Sequence, residues 1–195
     1  GDVKIKFADD GEILILSNKV MKEYYNDPKA TGLAFDGQWF KTGDIGELTP
    51  SGHLRITDRK KDLIKTANGK YVAPQKIEGL LKLNPLISNA LIHGDQEKYV
   101  IALLSLDTQQ TKLWAQQNGL GDATISEIAQ NSKFTDEIRR HMIKVNSELA
   151  NHESIKKYQI IEDEFTVENG SLTHSLKVKR KYLDHKYKAL ISSLY

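Results

Sequence analysis

The chain has 195 residues, of which 39% are apolar and 28% charged, a composition that supports a buried core and excludes a disordered protein. Lysine and arginine total 28 against 26 acidic residues, so the formal net charge is +2 and does not point to nucleic acid as a partner. The absence of cysteine excludes disulfides and thiolate chemistry and is compatible with a cytoplasmic protein. The first residues contain neither an initiator Met nor an apolar signal segment, so we expect either a piece of a longer protein or a processed product.

The first 57 residues are punctuated by glycine and have the pattern of short strands. A turn at residues 9–11 separates the segment KIKF from the apolar run 13–16, which predicts a hairpin. A helical or irregular stretch is expected between residues 20 and 35. Further short strands are expected at 39–40, 45–48 and 53–56. These elements predict a small sheet or barrel with few helices.

After Asp58 strands and helices alternate, which predicts an α+β domain with its boundary near residues 57–61. Asn68 and Gly69 favour a hairpin between strands at 63–66 and 71–72, because both residue types tolerate positive φ. Helices are expected at 74–83, 108–118, 134–149 and 182–194, and strands at 87–93, 99–106 and 158–161.

Three clusters of residues are candidates for a functional site. The first, WFKTGD at 39–44, ends in Asp44, whose carboxylate can accept two hydrogen bonds from a vicinal diol such as ribose; the alternative is an ordinary turn. In the second, at 58–65, Arg59 offers a fork of donors and Lys65 a point charge to a phosphate; the alternative is a solvated charged linker. The third, LKVKRK at 176–181, follows a loop that can project one lysine into a site; the alternative is a solvated basic face.

Histidines and glycines indicate no further site. No two histidines have the i, i+4 spacing of a zinc-binding helix, so no metal site is predicted. The patterns GxxxxGK[ST], GxGxxG and GxSxG do not occur, so the sequence predicts no glycine-rich loop that holds a triphosphate.

In their order and spacing, the clusters resemble the C-terminal third of the adenylate-forming, AMP-binding enzymes, which include acyl-CoA synthetases, luciferases and adenylation domains of peptide synthetases. Residues 11–25 resemble the GEL…GYY segment of that superfamily, residues 39–44 its W-[FY]-x-T-G-D motif, and residues 52–78 its hinge motif with the hairpin that follows. The sequences DRKKD at 58–62 and LTHSLKVKR at 172–180 are most similar to long-chain fatty acid–CoA ligases. Two residues depart from common patterns: Leu176, where many relatives have glycine, and His174, where long-chain relatives usually have proline.

The resemblance implies a small mixed α/β C-terminal domain preceded by β-rich tail elements of a large N-terminal domain. Residues 1–57 would be the β-rich end of the large AMP-binding domain, residues 58–61 the hinge, and residues 62–195 the mobile C-terminal domain.

The resemblance also implies roles for single residues in the first half-reaction. Asp44 would bind the ribose hydroxyls of ATP and of the acyl-adenylate, and Arg59 would contact ribose or phosphate. Lys177 would be the adenylation lysine, which bridges the fatty carboxylate and the nucleotide while charge develops on the transferring group.

Other residues would serve the second half-reaction. Lys61 would lie at the hinge about which the C-terminal domain turns. The hairpin that contains Lys65, Asn68 and Gly69 would then help to frame the channel for the CoA thiol.

The implied reaction converts ATP, fatty acid and CoA into acyl-CoA, AMP and diphosphate with the help of magnesium. The phosphate loop, the magnesium ligand and the acyl pocket belong to the N-terminal domain, which this sequence lacks, so the chain alone is expected to be inactive. The implied partners are fatty acid, ATP, CoA and the missing domain. A cytoplasmic location is expected, with peripheral contact to the inner face of a membrane left open.

Two alternative functions also stay open. One is a ligase that adenylates another carboxylate or passes the acyl group to a carrier protein, and the other is a free-standing module that binds a partner.

Overall fold

The computed structural model describes residues 3–195 and divides into two compact units, Gly1–Leu63 and Ile64–Tyr195. None of the helices formed by residues 3–195 combines the length and the apolar character that crossing a lipid bilayer requires.

The first unit contains a five-stranded antiparallel sheet. Strands β1 (Lys4–Phe7), β2 (Glu12–Leu16) and β4 (Trp39–Leu48) are neighbours in that order, and β3 (Phe35–Asp36) and β5 (Leu54–Arg59) both pair with β4. Helix α1 (Pro28–Ala34) precedes β3 and begins after Asp27, whose side chain accepts a hydrogen bond from the Ala30 N–H at 2.8 Å. The predicted hairpin at the start of the chain is therefore confirmed, and the two short strands predicted between 39 and 48 form one continuous strand.

The second unit contains a three-stranded sheet in the order β10-β9-β8. Strands β8 (Ile87–His93) and β9 (Val100–Leu106) are antiparallel, and β10 (Ile155–Ile161) is parallel to β9. Strands β6 (Ile64–Lys65) and β7 (Tyr71–Val72) form a separate hairpin. The helices are α2 (Pro74–Leu81), α3 (Thr108–Gln117), α4 (Ile125–Gln130), α5 (Ser132–Ser147), α6 (Arg180–Lys186) and α7 (Lys188–Ser193).

Strand β9 is buried along its whole length. The even-numbered residues of β9 pack against α2 to α5, whereas Ile101 and Leu103 pack with Leu172 and Leu183 of the C-terminal segment. Because both faces of the strand are covered, its sequence is an almost uninterrupted apolar run rather than an alternating one. The segment that carries Lys177 is thus packed on one face of this sheet.

The α+β architecture agrees with the sequence prediction, and two local differences have physical causes. Helix α4 was not predicted, although Thr124 and Glu127 form a capping box in which each side chain binds the other residue's backbone N–H. The single helix predicted at 182–194 is divided into α6 and α7 at Tyr187, whose hydroxyl donates to Asp163 Oδ2 at 2.8 Å.

Candidate functional site

Asp44 and Arg59 lie opposite each other on β4 and β5. Arg59 Nε is 2.9 Å from Asp44 Oδ1, and 24% of the Asp44 side chain is exposed. A carboxylate has two acceptor oxygens and a guanidinium group has five N–H donors, so this pair keeps the capacity to accept from a diol and to donate to a phosphate. The structure brings together the two residues for which nucleotide contacts were predicted, although their direct contact was not foreseen.

A buried carboxylate supports the turn before Asp44. Glu12 is only 3% exposed, and its Oε1 accepts a hydrogen bond from the Gly43 N–H at 3.0 Å. Gly43 has a φ of +70°, a conformation that glycine adopts without steric cost. The Asp44 N–H in turn donates to Thr42 Oγ1 at 3.1 Å. These contacts fix the backbone that presents the Asp44 carboxylate, and the sequence analysis had assigned no role to Glu12.

Lys60 is held by two carboxylates of the first unit. Its Nζ lies 2.7 Å from Asp10 Oδ2 and 2.8 Å from Glu12 Oε2, and these hydrogen bonds raise the pKa of Lys60. Burial alone would raise the pKa of Asp10, but hydrogen bonds from Lys60 and from the Glu12 N–H hold that pKa below its usual value. Lys61, the predicted hinge residue, follows directly and is exposed in the middle of the 3₁₀ turn Lys60–Asp62. These two ion pairs therefore anchor the chain to the first unit as far as Lys60.

The hairpin with Lys65 and Gly69 is present and is supported by the turn between β8 and β9. The Lys65 N–H donates to Asp95 Oδ1 at 3.1 Å, and the Lys65 C=O accepts from the Gln96 N–H at 2.8 Å. Gly69 has a φ of +72°, whereas Asn68 does not adopt positive φ. The reason is that the strands are joined by a five-residue turn rather than by a two-residue one, and such a turn needs positive φ at one position only.

The turn at residues 66–70 has a hydrogen-bond pattern that recurs at three other places. The N–H of its first residue donates to the C=O of its fifth at 3.0 Å, and the N–H of its fourth residue donates to the C=O of its first at 2.8 Å. This is a type I turn followed by a bulge residue with positive φ. Residues 8–12, 49–53 and 173–177 have the same pattern. The fourth residue is Gly11, Gly52 and Gly69 in three of the turns and Leu176 in the last.

Lys177 is the fifth residue of the turn at 173–177. Its N–H donates to Thr173 Oγ1 at 3.1 Å, its C=O accepts from the Thr173 N–H at 2.8 Å, and a bridge between Leu172 and Val178 closes the base of the turn. Leu176, just before Lys177, has a φ of +58° and is 67% exposed. Within residues 3–195 the Lys177 ammonium makes no hydrogen bond or ion pair. The turn therefore holds the backbone of Lys177 and presents its charge outward.

The predicted site residues are distributed over both units. Asp44, Arg59 and Lys61 belong to the first unit, whereas Lys177 and the hairpin with Lys65, Asn68 and Gly69 belong to the second. In the part of the chain that the structure describes, no three histidine, cysteine or acidic side chains lie close enough together to hold a metal ion.

The sequence model of the AMP-binding enzyme C-terminal domain family matches residues 61–195. The chain belongs to this family. The long-chain-fatty-acid–CoA ligase FadD15 of Mycobacterium tuberculosis is 38% identical over 192 residues, which are 98% of this chain and 32% of that protein. Human long-chain-fatty-acid–CoA ligase 6 is 36% identical over 190 residues, 95% of this chain and 27% of that protein. This member of the family thus spans about a third or less of the length of these relatives.

A solved structure shows the same fold. The adenylation domain of a carboxylate reductase from Mycobacterium chelonae superposes with a TM-score of 0.66 and 24% identity, over 100% of this chain and 31% of that one. The resemblance to adenylate-forming enzymes and the mixed α/β fold that it implies are both confirmed.

Proposed function

We propose that this chain is the C-terminal part of a long-chain fatty acid–CoA ligase. The observation that carries the proposal is the identity of 38% with FadD15 over 98% of the chain. In the parent enzyme a fatty acid would react with ATP to give acyl-adenylate and diphosphate. The thiol of CoA would then displace AMP from the acyl carbon, which gives acyl-CoA.

The first half-reaction would use Asp44, Arg59 and Lys177. The Asp44 carboxylate would accept hydrogen bonds from the ribose hydroxyls, and the Arg59 guanidinium, fixed at 2.9 Å from Asp44, would donate to ribose or phosphate. The Lys177 ammonium, exposed on its turn, would offset the negative charge that develops as the carboxylate attacks the α-phosphate. These roles agree with the acceptor oxygens of Asp44, the N–H donors of Arg59 and the exposed positive charge of Lys177, each considered within its own unit.

The second half-reaction would use the hinge and the hairpin. Residues 58–61 would form the hinge between a segment 1–57 of the large domain and a mobile domain 62–195, and Lys61 would absorb the backbone rotation. The contacts that hold Lys60 in the first unit support a pivot that begins at the next residue. The hairpin with Lys65, Asn68 and Gly69 would then help to frame the CoA channel.

Magnesium and the acyl pocket would be held by the rest of the parent. The residues that the structure describes offer no cluster of three metal-binding side chains, so no step on this chain is assigned to a metal. The partners on this proposal are fatty acid, ATP, CoA and the remainder of the same protein. A cytoplasmic location is part of the proposal, and peripheral contact with the inner face of a membrane is left open.

The test compares the 195-residue chain with the full-length protein that contains it. Each is mixed with ATP, palmitate and CoA, and diphosphate and palmitoyl-CoA are measured. We expect turnover by the full-length protein alone, because positioning supplies most of the rate in phosphoryl transfer and the groups that hold the triphosphate would belong to the remainder of the parent.

Two results would contradict the proposal. Turnover by the chain alone, above a Lys177→Ala control, would mean that the chain is not a fragment of the catalytic unit. Diphosphate release by the full-length protein with a different carboxylate and none with fatty acids would favour the alternative ligase.

A further inference from the structure

Arg180 lies three residues after Lys177 and makes two directional contacts. Its Nη2 donates to Glu78 Oε1 at 2.8 Å, and its Nη1 donates to the Ile92 C=O at 2.7 Å. The side chains of Arg180 and Glu78 are 24% and 10% exposed, so the ion pair lies largely out of water. Arg180 is also the first residue of α6. The contacts therefore fix the chain just after the turn that presents Lys177.

Glu78 completes this arrangement from α2. Its Oε1 also accepts a hydrogen bond from the Ile92 N–H at 3.0 Å. Ile92 belongs to β8, an edge strand of the three-stranded sheet, and both of its backbone polar groups are bound by these two side chains. The Glu78 carboxylate, the Arg180 guanidinium and the backbone of Ile92 are thus joined in a ring by three hydrogen bonds. We call this arrangement the Glu78–Arg180 clamp.

Stability alone does not account for a buried ion pair. The desolvation of two charges commonly cancels their attraction, and well-packed apolar side chains at such places are often as stable or more so. A guanidinium fork that binds a carboxylate and a carbonyl supplies orientation, because its donors are fixed in one plane. In the clamp, that orientation is imposed on the segment directly after the Lys177 turn.

The clamp also connects the Lys177 turn, proposed to act in adenylation, with the hairpin that is proposed to act in the CoA step. Helix α2, which carries Glu78, begins two residues after β7, the second strand of the hairpin that contains Lys65 and Gly69. The Lys177 turn is therefore tied to the same helix that follows the hairpin. Both elements are kept in one fixed arrangement within the second unit.

We propose that Arg180 and Glu78 are positioning residues for adenylation, which act by holding the Lys177 turn against α2 and β8. This inference rests on the proposed function, in which Lys177 contacts the nucleotide. The Lys177 side chain extends from a backbone that the turn holds in place, so a displacement of that backbone moves the ammonium away from the developing charge. A misplacement of about 1 Å costs roughly 10²-fold in rate.

The test uses the full-length protein with the substitution Arg180→Met, which keeps much of the apolar stem and removes the fork. Acyl-adenylate formation is measured as diphosphate release, and thioester formation is measured separately from supplied palmitoyl-adenylate and CoA. We expect kcat for adenylation to fall by about 10²-fold and thioester formation to be unchanged. Glu78→Gln keeps the shape of the side chain and is expected to give a smaller loss in the same step. If Arg180→Met does not fold, the same two half-reactions measured on Glu78→Gln test the inference.

The double variant Lys177→Ala/Arg180→Met separates positioning from a general structural role. If Arg180 acts through Lys177, removing it from the Lys177→Ala enzyme should cause no further loss of adenylation. A matched control is Lys186→Met, which breaks the ion pair between Lys186 and Asp163 (2.7 Å) on the same helix α6. We expect both half-reactions of this control to equal those of the wild type.

Three results would overturn the inference: an adenylation rate of Arg180→Met equal to that of Lys186→Met, equal losses in both half-reactions, or additive losses in the double variant. A wild-type protein that forms no acyl-CoA would instead contradict the proposed function on which the inference depends. The wild-type measurement therefore distinguishes the two failures.

Discussion

Leu176 occupies in the turn at 173–177 the position that Gly69 occupies in the turn at 66–70. The two turns share their backbone hydrogen bonds, and each begins with a threonine whose Oγ1 accepts from the N–H of the fifth residue. Both fourth residues have positive φ, +58° for Leu176 and +72° for Gly69. The glycine that the resemblance implies before the proposed adenylation lysine thus corresponds to a conformational requirement that Leu176 meets under strain.

Replacement of Leu176 by glycine should stabilise the chain. The left-handed conformation costs an L-residue roughly 1–2 kcal/mol, and glycine loses about 0.5–1 kcal/mol more backbone entropy on folding. We expect the free energy of unfolding to rise by about 0.5–1 kcal/mol, measured by urea denaturation of the 195-residue chain. Leu113→Gly, at an exposed position in α3, is the control and should instead lose about 1 kcal/mol. A loss of stability in Leu176→Gly would show that the turn does not carry the inferred strain.

The pair of Asp44 and Arg59 leads to a prediction about ATP. In the full-length protein, Asp44→Asn removes the charged acceptor proposed for the ribose hydroxyls and keeps the size of the side chain. A hydrogen bond to a charged group contributes about 1.5–3 kcal/mol, so we expect kcat/KM for ATP to fall by roughly 10–10²-fold. Glu47→Gln, which alters the ion pair with Arg55 on the same two strands, is the matched control. Equal effects of the two substitutions would exclude a nucleotide role for Asp44.

Lys177→Ala should separate the two half-reactions of the full-length protein. The ammonium is proposed to face the nucleotide only during adenylation, and loss of one charge contact in a transition state costs roughly 10²–10³-fold. We expect that loss in diphosphate release and little change in thioester formation from supplied palmitoyl-adenylate. Equal losses in both steps would mean that Lys177 is misassigned.

Lys61→Pro should have the opposite effect. Proline fixes φ near −65° and also restricts the backbone of Lys60, the residue whose ammonium is bound by Asp10 and Glu12. We expect adenylation to be partly retained and transfer to CoA to be strongly slowed, measured as separate half-reactions. Lys61→Ala removes the side chain but leaves the torsions free, so it should behave nearly as wild type. Near-normal CoA transfer in the proline variant would contradict the hinge assignment.

Local features of the fold could be predicted from the sequence because they depend on neighbouring residues. The first hairpin follows from a turn between the alternating segment KIKF and the apolar run 13–16, and β9 follows from its apolar run. Helix α4 could also have been found, since the spacing of Thr124 and Glu127 is that of a capping box. The common structure of three of the turns could also have been found, since a threonine lies three residues before each of Gly52, Gly69 and Leu176.

Contacts between distant residues could not be predicted, because they depend on register and packing. Asp44 and Arg59 pair only because β4 and β5 adopt one of several registers, and a shift by one residue would turn the side chains to opposite faces. Glu78 and Arg180 are 102 residues apart in the chain. The role of Glu12 depends on its burial beside Gly43, which its own sequence neighbours do not reveal.

The parallel pairing of β9 with β10 sets the order in which the second unit can assemble during synthesis. Strands β8 and β9 are joined by a short turn and can pair early, whereas β10 must wait until α3 to α5 have been made, since parallel strands require a long crossover. Arg180 emerges from the ribosome later still, long after Glu78 and Ile92. We therefore expect the C-terminal segment, which carries the Lys177 turn, α6 and α7, to be the last part of the second unit to reach its final geometry. The adenylation role proposed for Lys177 would then be acquired only when this segment has docked.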